Sequence, residues 1–315
     1  MSRVGRFSSL VWLACASLAA HARAQSLVNF GDTITDPGVY VLNGNQSGSG
    51  VGVIIDSDDV VLFLLRFTLR GDGTRQGIEV ANHDRVTLWG GRVTYFGDGV
   101  FMEHSEYCTV RDMRIDHCSD DGVDLFDVNH SEFVRLRPDD NDENGVLATE
   151  CRSNRFFSVR SDGNGRDGLR LGELVQAPSS LGRLSTLNRI KKCWFAYNGA
   201  DGLRLIGADA NEILENQCVA NDGTGIHLDF TEVDVEGAVA APGSDDNEVA
   251  RNWCPFNGIG IGVERGCVRN ELHDNIALAS SEFDLFDNND GPPCENTWFL
   301  DTFLFRGGDG ALCIF

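Results

Sequence analysis

Arg170, Arg204 and His227 each hold the third place of a four-residue string, Gly-apolar-x-apolar, in Gly168-Leu-Arg-Leu171, Gly202-Leu-Arg-Leu205 and Gly225-Ile-His-Leu228. In an extended chain alternate side chains point to opposite faces, so the two apolar residues turn inward and x turns outward. Asp229 lies two residues beyond His227 on the same face, about 7 Å along the strand. If the strings stack, three cationic groups and a carboxylate line one surface. An arginine can hold a carboxylate through two parallel hydrogen bonds. A histidine oriented by a carboxylate can take a proton near neutral pH. The set suits proton abstraction α to the carboxylate of a uronate, with His227 or a second arginine as base and Asp229 orienting His227. The outcome of such chemistry is β-elimination or C5 epimerisation.

A second set is acidic. Asp120, Asp121 and Asp124 fall within Ser119-Asp-Asp-Gly-Val-Asp124, and Asp139-Asp-Asn-Asp-Glu143 follows. Carboxylates in turns can hold Ca2+, although neither string matches an EF-hand or the glycine-rich nonapeptide repeat. Solvated turns are the plainer reading. No other cofactor is indicated: the seven histidines are scattered and no cysteine pair has zinc spacing. No phosphate loop, nucleophile elbow or His-Glu-x-x-His helix occurs.

What would position these residues is a repeat. Gly-apolar-x-apolar recurs at Gly77, Gly99, Gly122, Gly145, Gly168, Gly202 and Gly225, in steps of 22, 23, 23, 23, 34 and 23 residues. Looser copies follow at Gly260-Ile-Gly-Val263 and Glu282-Phe-Asp-Leu285, which extend the x column to Gly262 and Asp284. Asn141, Asn164, Asn198 and Asn221 each lie four residues before the repeat Gly, and Asn154, Asn188 and Asn211 fourteen before the next one. Short alternating stretches between these marks read as strands bounded by Asn, Asp and Gly turns. A coil of 23 residues cannot bury its apolar face alone; stacked at the strand spacing of about 4.8 Å it can. Asn at a fixed turn position suits stacking, because it tolerates left-handed backbone and its amide can bond its counterpart one rung away. The expected fold is therefore all-β: one parallel β-helix of about twelve coils.

The Gly-Ile-x-Leu and Asn pattern over residues 52–285 resembles the right-handed parallel β-helix repeat of the pectate-lyase-like superfamily, and within it the NosD-type repeats of secreted proteins. Residues 31–42 resemble the entry segment of such chains, and residues 294–303 with the final Cys313-Ile-Phe315 resemble their closing coil. The resemblance implies fold far more than activity. Neither the Asp-Pro-His string of alginate epimerases nor the Asn-Thr-Asp set of polygalacturonases is present. A copper role like that of NosD-type proteins finds no histidine or methionine cluster.

The organisation expected is a signal peptide over 1–24, an entry cap over 25–50, the β-helix over 51–290 and a closing coil over 291–315. The signal reading rests on Arg3 and Arg6 before an apolar run and on Ala22-Arg-Ala24 as a cleavage site. The run is too short to span a bilayer comfortably, so a secreted or periplasmic protein without a membrane span is expected. Export permits disulfides. Beyond Cys15 an odd number of cysteines remains, with Cys294 and Cys313 at the tail expected to join, and Cys218 and Cys254 able either to pair or to fill the core. The two long steps place inserts near 173–185 and 231–246, both leaving the same edge of the same sheet and bracketing the Arg204 coil. Together they predict walls for a cleft floored by Arg170, Arg204 and His227.

Against 48 Asp+Glu the chain has 26 Lys+Arg, a formal charge of −22. So acidic a protein lacks the basic footprint of nucleic-acid or anionic-membrane binding. The partner expected is an acidic polysaccharide or cell-surface glycan gripped along one sheet. The competing expectation is a non-catalytic adhesive or structural rod.

Overall fold

The computed structural model describes residues 26–172, 185–230 and 243–315. The expected signal peptide, most of both inserts and the walls they would form lie outside the described residues. Among the described residues every strand pair is parallel and non-sequential, the arrangement of a right-handed parallel β-helix. One sheet, here sheet B, stacks twelve strands from Asp32–Ile34 to Arg306–Gly307, spanning about eleven turns. Sheet A runs beside it with fifteen strands, and sheet C stacks Arg160–Asp162, Trp194–Ala196 and Gln217–Val219. The segment expected as an entry cap already follows this pattern: Ser26–Val28 pairs with Gly38–Leu42, and Asp32–Ile34 with Val53–Ile55. No helix among the described residues is long and apolar enough to cross a membrane.

Each repeat string from Gly77 to Gly225 forms a strand of sheet B, with the apolar pair buried and x partly exposed, as in Leu169-Arg170-Leu171 and Leu203-Arg204-Leu205. Burying one Leu or Val in this way contributes roughly 1.5–3 kcal/mol, and the rungs merge into one continuous apolar core. The repeat Gly is a matter of close approach. A Cβ on Gly168 would sit 2.6 Å from the Gly202 carbonyl oxygen, and one on Gly202 the same distance from that of Gly225. No side chain fits between these backbones.

The asparagines form the ladders that stacking favours. Asn141, Asn164, Asn198 and Asn221 each donate from Nδ2 to Oδ1 of the next member, at 2.9–3.0 Å, ending on Asn257. Asn188, Asn211, Asn247 and Asn270 form a like ladder on a second corner at 3.0–3.2 Å, ending on Asn296. A third ladder, Asn216–Asn252–Asn275, escaped the sequence reading. The left-handed backbone expected of these Asn belongs instead to the residue before each one, such as Tyr197, Ala210 and Ala220. That preceding residue turns the corner and points to solvent, while the Asn side chain enters the turn and satisfies buried backbone groups.

Cys294 and Cys313 are joined, their Cα atoms 5.5 Å apart. Cys218 and Cys254 do not pair; they and the other five described cysteines are buried free thiols.

Candidate functional site

Sheet B brings the expected column together. Arg170 is in register with Arg204, Arg204 with His227, and His227 with Gly262. The column then departs from expectation. Gly262 pairs with Phe286, so the outward place belongs to Phe286, and Asp284 falls in line with the repeat glycines. Asp284 is buried and accepts hydrogen bonds from the backbone N–H groups of Ser280, Leu304 and Phe305. The string expected at 282–285 thus starts two residues early, because Asp284 and not Glu282 stands opposite Gly260.

The cations are not bare. Arg204 donates from Nε and Nη2 to Asp229 Oδ2, at 3.1 and 2.5 Å, and its Nε lies 3.8 Å from Asp201 Oδ2. His227 bonds through Nδ1 to Asp201 Oδ2 at 2.8 Å, and its Nε2 lies 3.7 Å from Glu264 Oε1. Asp201, not Asp229, therefore orients His227. Asp229 reaches across the rung to Arg204 because residues two apart on a strand lean to the same side. Burial works against a charge on His227, but Asp201 and Glu264, with Asp229 behind, outweigh it and raise its pKa to about 10. An imidazolium has no lone pair for a proton, so these carboxylates disfavour the base role expected of His227. Burial also opposes the charge of Asp201, yet His227 and Arg204 hold its carboxyl below the usual range.

Arg170 differs. Its Nε is buried and makes no hydrogen bond among the described residues. A buried donor without a partner is costly, by roughly 1–3 kcal/mol, and this one faces outward on the sheet.

Asp201 belongs to a fourth ladder. The residue immediately before each repeat Gly offers Oδ1 to the backbone N–H of its counterpart one rung on: Asp98 to Asp121, Asp121 to Asn144, Asn144 to Asp167, Asp167 to Asp201 and Asp201 to Thr224. It runs in the opposite sense to the three Asn ladders. The signal was present in the sequence as an Asp or Asn directly before Gly99, Gly122, Gly145, Gly168 and Gly202.

The acidic set is regrouped by this ladder. Oxygens of Asp98, Asp121 and Asp124 lie within 4.8 Å of one another and could hold a metal ion. Asp120 is exposed and outside the cluster, because its neighbour Asp121 points the other way into the ladder. Burial, and then the Asp120 charge, raise Asp98 to about 6. Burial also raises Asp121 to about 7, against hydrogen bonds from Asn144.

The family model described as "Right handed beta helix region" matches residues 76–238. Among solved structures, the A-module of the Azotobacter vinelandii mannuronan C-5 epimerase AlgE4 is similar at 14% identity and a TM-score of 0.60, over 86% of this chain and 87% of that one. The periplasmic alginate epimerase AlgG is similar at 10% identity and a TM-score of 0.56, over 89% and 76%. The Dettilon tailspike protein gp208 is similar at 14% identity and a TM-score of 0.50, over 87% and 53%. Likeness at these identities speaks for the fold. No curated protein matches the chain in sequence.

Proposed function

Because the chain belongs to the right-handed β-helix family, we propose that its outward sheet B column binds polysaccharide, with Arg170 as the anchor for a sugar carboxylate. The observation that carries this reading is the contrast within the column. Arg204 and His227 are matched by Asp229, Asp201 and Glu264, whereas Arg170 keeps a buried donor unfilled among the described residues. A uronate would accept from the outer guanidinium nitrogens of the half-buried Arg170 side chain through both its oxygens. Structural neighbours named as epimerases of mannuronan and alginate support an acidic glycan as the ligand class.

The same geometry bears on turnover. Lyase or epimerase chemistry needs a neutral base at the sugar carbon, and a cationic His227 can only donate a proton or balance charge. Binding is thus the activity the column supports best, since the carboxylates around His227 favour its charged form. Export through residues 1–24 to a secreted or periplasmic location is part of the proposal, since it would bring the chain to such polymers.

The test is calorimetric titration with oligouronates. Arg170→Ala should weaken binding at least tenfold while leaving the melting temperature of the protein unchanged or higher. Equal affinity in parent and variant would overturn the reading.

A further inference from the structure

At the far end of these strands, where sheet B turns toward sheet A, the surface opens into a groove of about 470 Å³ lined by Glu106, Asp127, Asn129, His130, Glu150, Arg152 and Thr186. Two rows of residues make it. Asp127 and Glu150 succeed one another in adjacent rungs, directly after the paired Phe126 and Thr149, each with left-handed backbone. Glu106, Asn129, Arg152 and Thr186 form the second row, paired rung to rung. Between the rows Val128 and Cys151 point into the core. The groove therefore runs along the axis, with polar groups on both walls repeating at about the 4.8 Å strand spacing.

Along the turns elsewhere several exposed charges are paired across rungs: Arg85 bonds Asp59, Arg135 bonds Asp112, and Arg269 bonds Asp245 and Asp246. In the groove, the side chains of Glu106, Glu150, Arg152, His130 and Thr186 make no hydrogen bond or ion pair among the described residues. His130 only stacks on Tyr107, ring centres 5.3 Å apart.

We propose that this groove is a second saccharide site and takes an uncharged, hydroxyl-rich sugar segment. An anionic ligand would face Glu106, Asp127 and Glu150 at once. A compact metal site is not formed either, since among the described residues only Asp98, Asp121 and Asp124 bring three oxygens within 4.8 Å. Hydroxyl groups answer the mixture: each can donate to a glutamate and accept from Arg152, His130 or Thr186, and hydrogen bonds to charged groups are stronger than neutral ones. The volume lies within the range of small-ligand sites. The site is independent of the Arg170 anchor.

The test titrates the full chain with uncharged tetrasaccharides of glucose (α- and β-1,4), mannose, xylose, galactose and N-acetylglucosamine, alongside tetragalacturonate. At least one uncharged tetrasaccharide should bind, and Glu150→Gln and Arg152→Ala should each weaken it at least fivefold without altering the thermal melt. Arg170→Ala should leave that binding intact while losing tetragalacturonate, so the two sites fail separately. No heat from any uncharged probe, or binding indifferent to both groove variants, would overturn the proposal.

Discussion

Asp229 has 11% of its side chain exposed and spends one oxygen on Arg204 and the other on the Phe230 backbone N–H. Removing the arginine strands a buried carboxylate, so Arg204→Ala should lower stability by about 3–5 kcal/mol, read by urea unfolding. His227 is the pH-sensitive member. Its pKa is raised in the fold from the ordinary 6.5 to about 10, so protonation favours the folded state. The stabilisation is fully present below about pH 6.5 and lost as pH rises through about 10. Unfolding midpoints of the parent should fall over that window, and those of His227→Gln should fall less, most clearly between about pH 7 and 9. Asp121 carries the same sign at a lower window: raised to about 7, it stabilises when protonated and becomes a burden above that pH. Asp121→Asn keeps the Oδ1 acceptor that Asn144 uses, as Asn144 itself does one rung on. The variant should therefore melt higher than the parent at pH 8 and equally at pH 4. It also separates two uses of the cluster. Ca2+ heat in the parent and none in the variant would assign the three carboxylates to a cation; no heat in either would leave Asp98 and Asp121 as rung contacts only.

At the scale of the element, the Asn ladders and the Gly column divide the labour of holding rungs in register. Asn198 accepts from both the backbone N–H and the side chain of Asn164, and donates to Asn221 and to the Ser161 carbonyl. Replacing it by Ala leaves buried groups unsatisfied at about 1–3 kcal/mol each, so a drop of several degrees in melting temperature is expected. Gly168→Ala should be worse, on the order of 3 kcal/mol, because the clash is with backbone that cannot step aside. These elements were legible from the sequence because a stacked repeat makes neighbours of residues 23 apart, and identical packing demands repeat identical residues. The site was legible only in part. Spacing placed Arg170, Arg204 and His227 on one face, but said nothing of which carboxylate would reach which cation. Asp201 lies on a neighbouring column, and Asp98 comes from a rung before the Asp121 string. Partner choice depends on the lean and length of side chains, which periodicity does not encode.

For the molecule as a whole, charge sets the terms of recognition. With a formal charge of −22, the protein repels a polyuronate at long range, while the Arg170 contact is local and partly sheltered. Salt shortens the first interaction, to a Debye length of about 8 Å at physiological strength, and touches the second much less. Affinity for oligouronates should hold or rise between low and physiological salt, the reverse of a basic binding surface, and calorimetry across that range would show it. The cysteines carry a different consequence. Burial pushes Cys118, Cys151, Cys193 and Cys267 up to about 12, so none is a thiolate while its coil stays wound. The sulfurs amount to built-in depth gauges along the rod. An alkylating reagent can mark each only when that stretch unwinds, and the order of marking would record whether the spiral peels from a tip or parts at its waist.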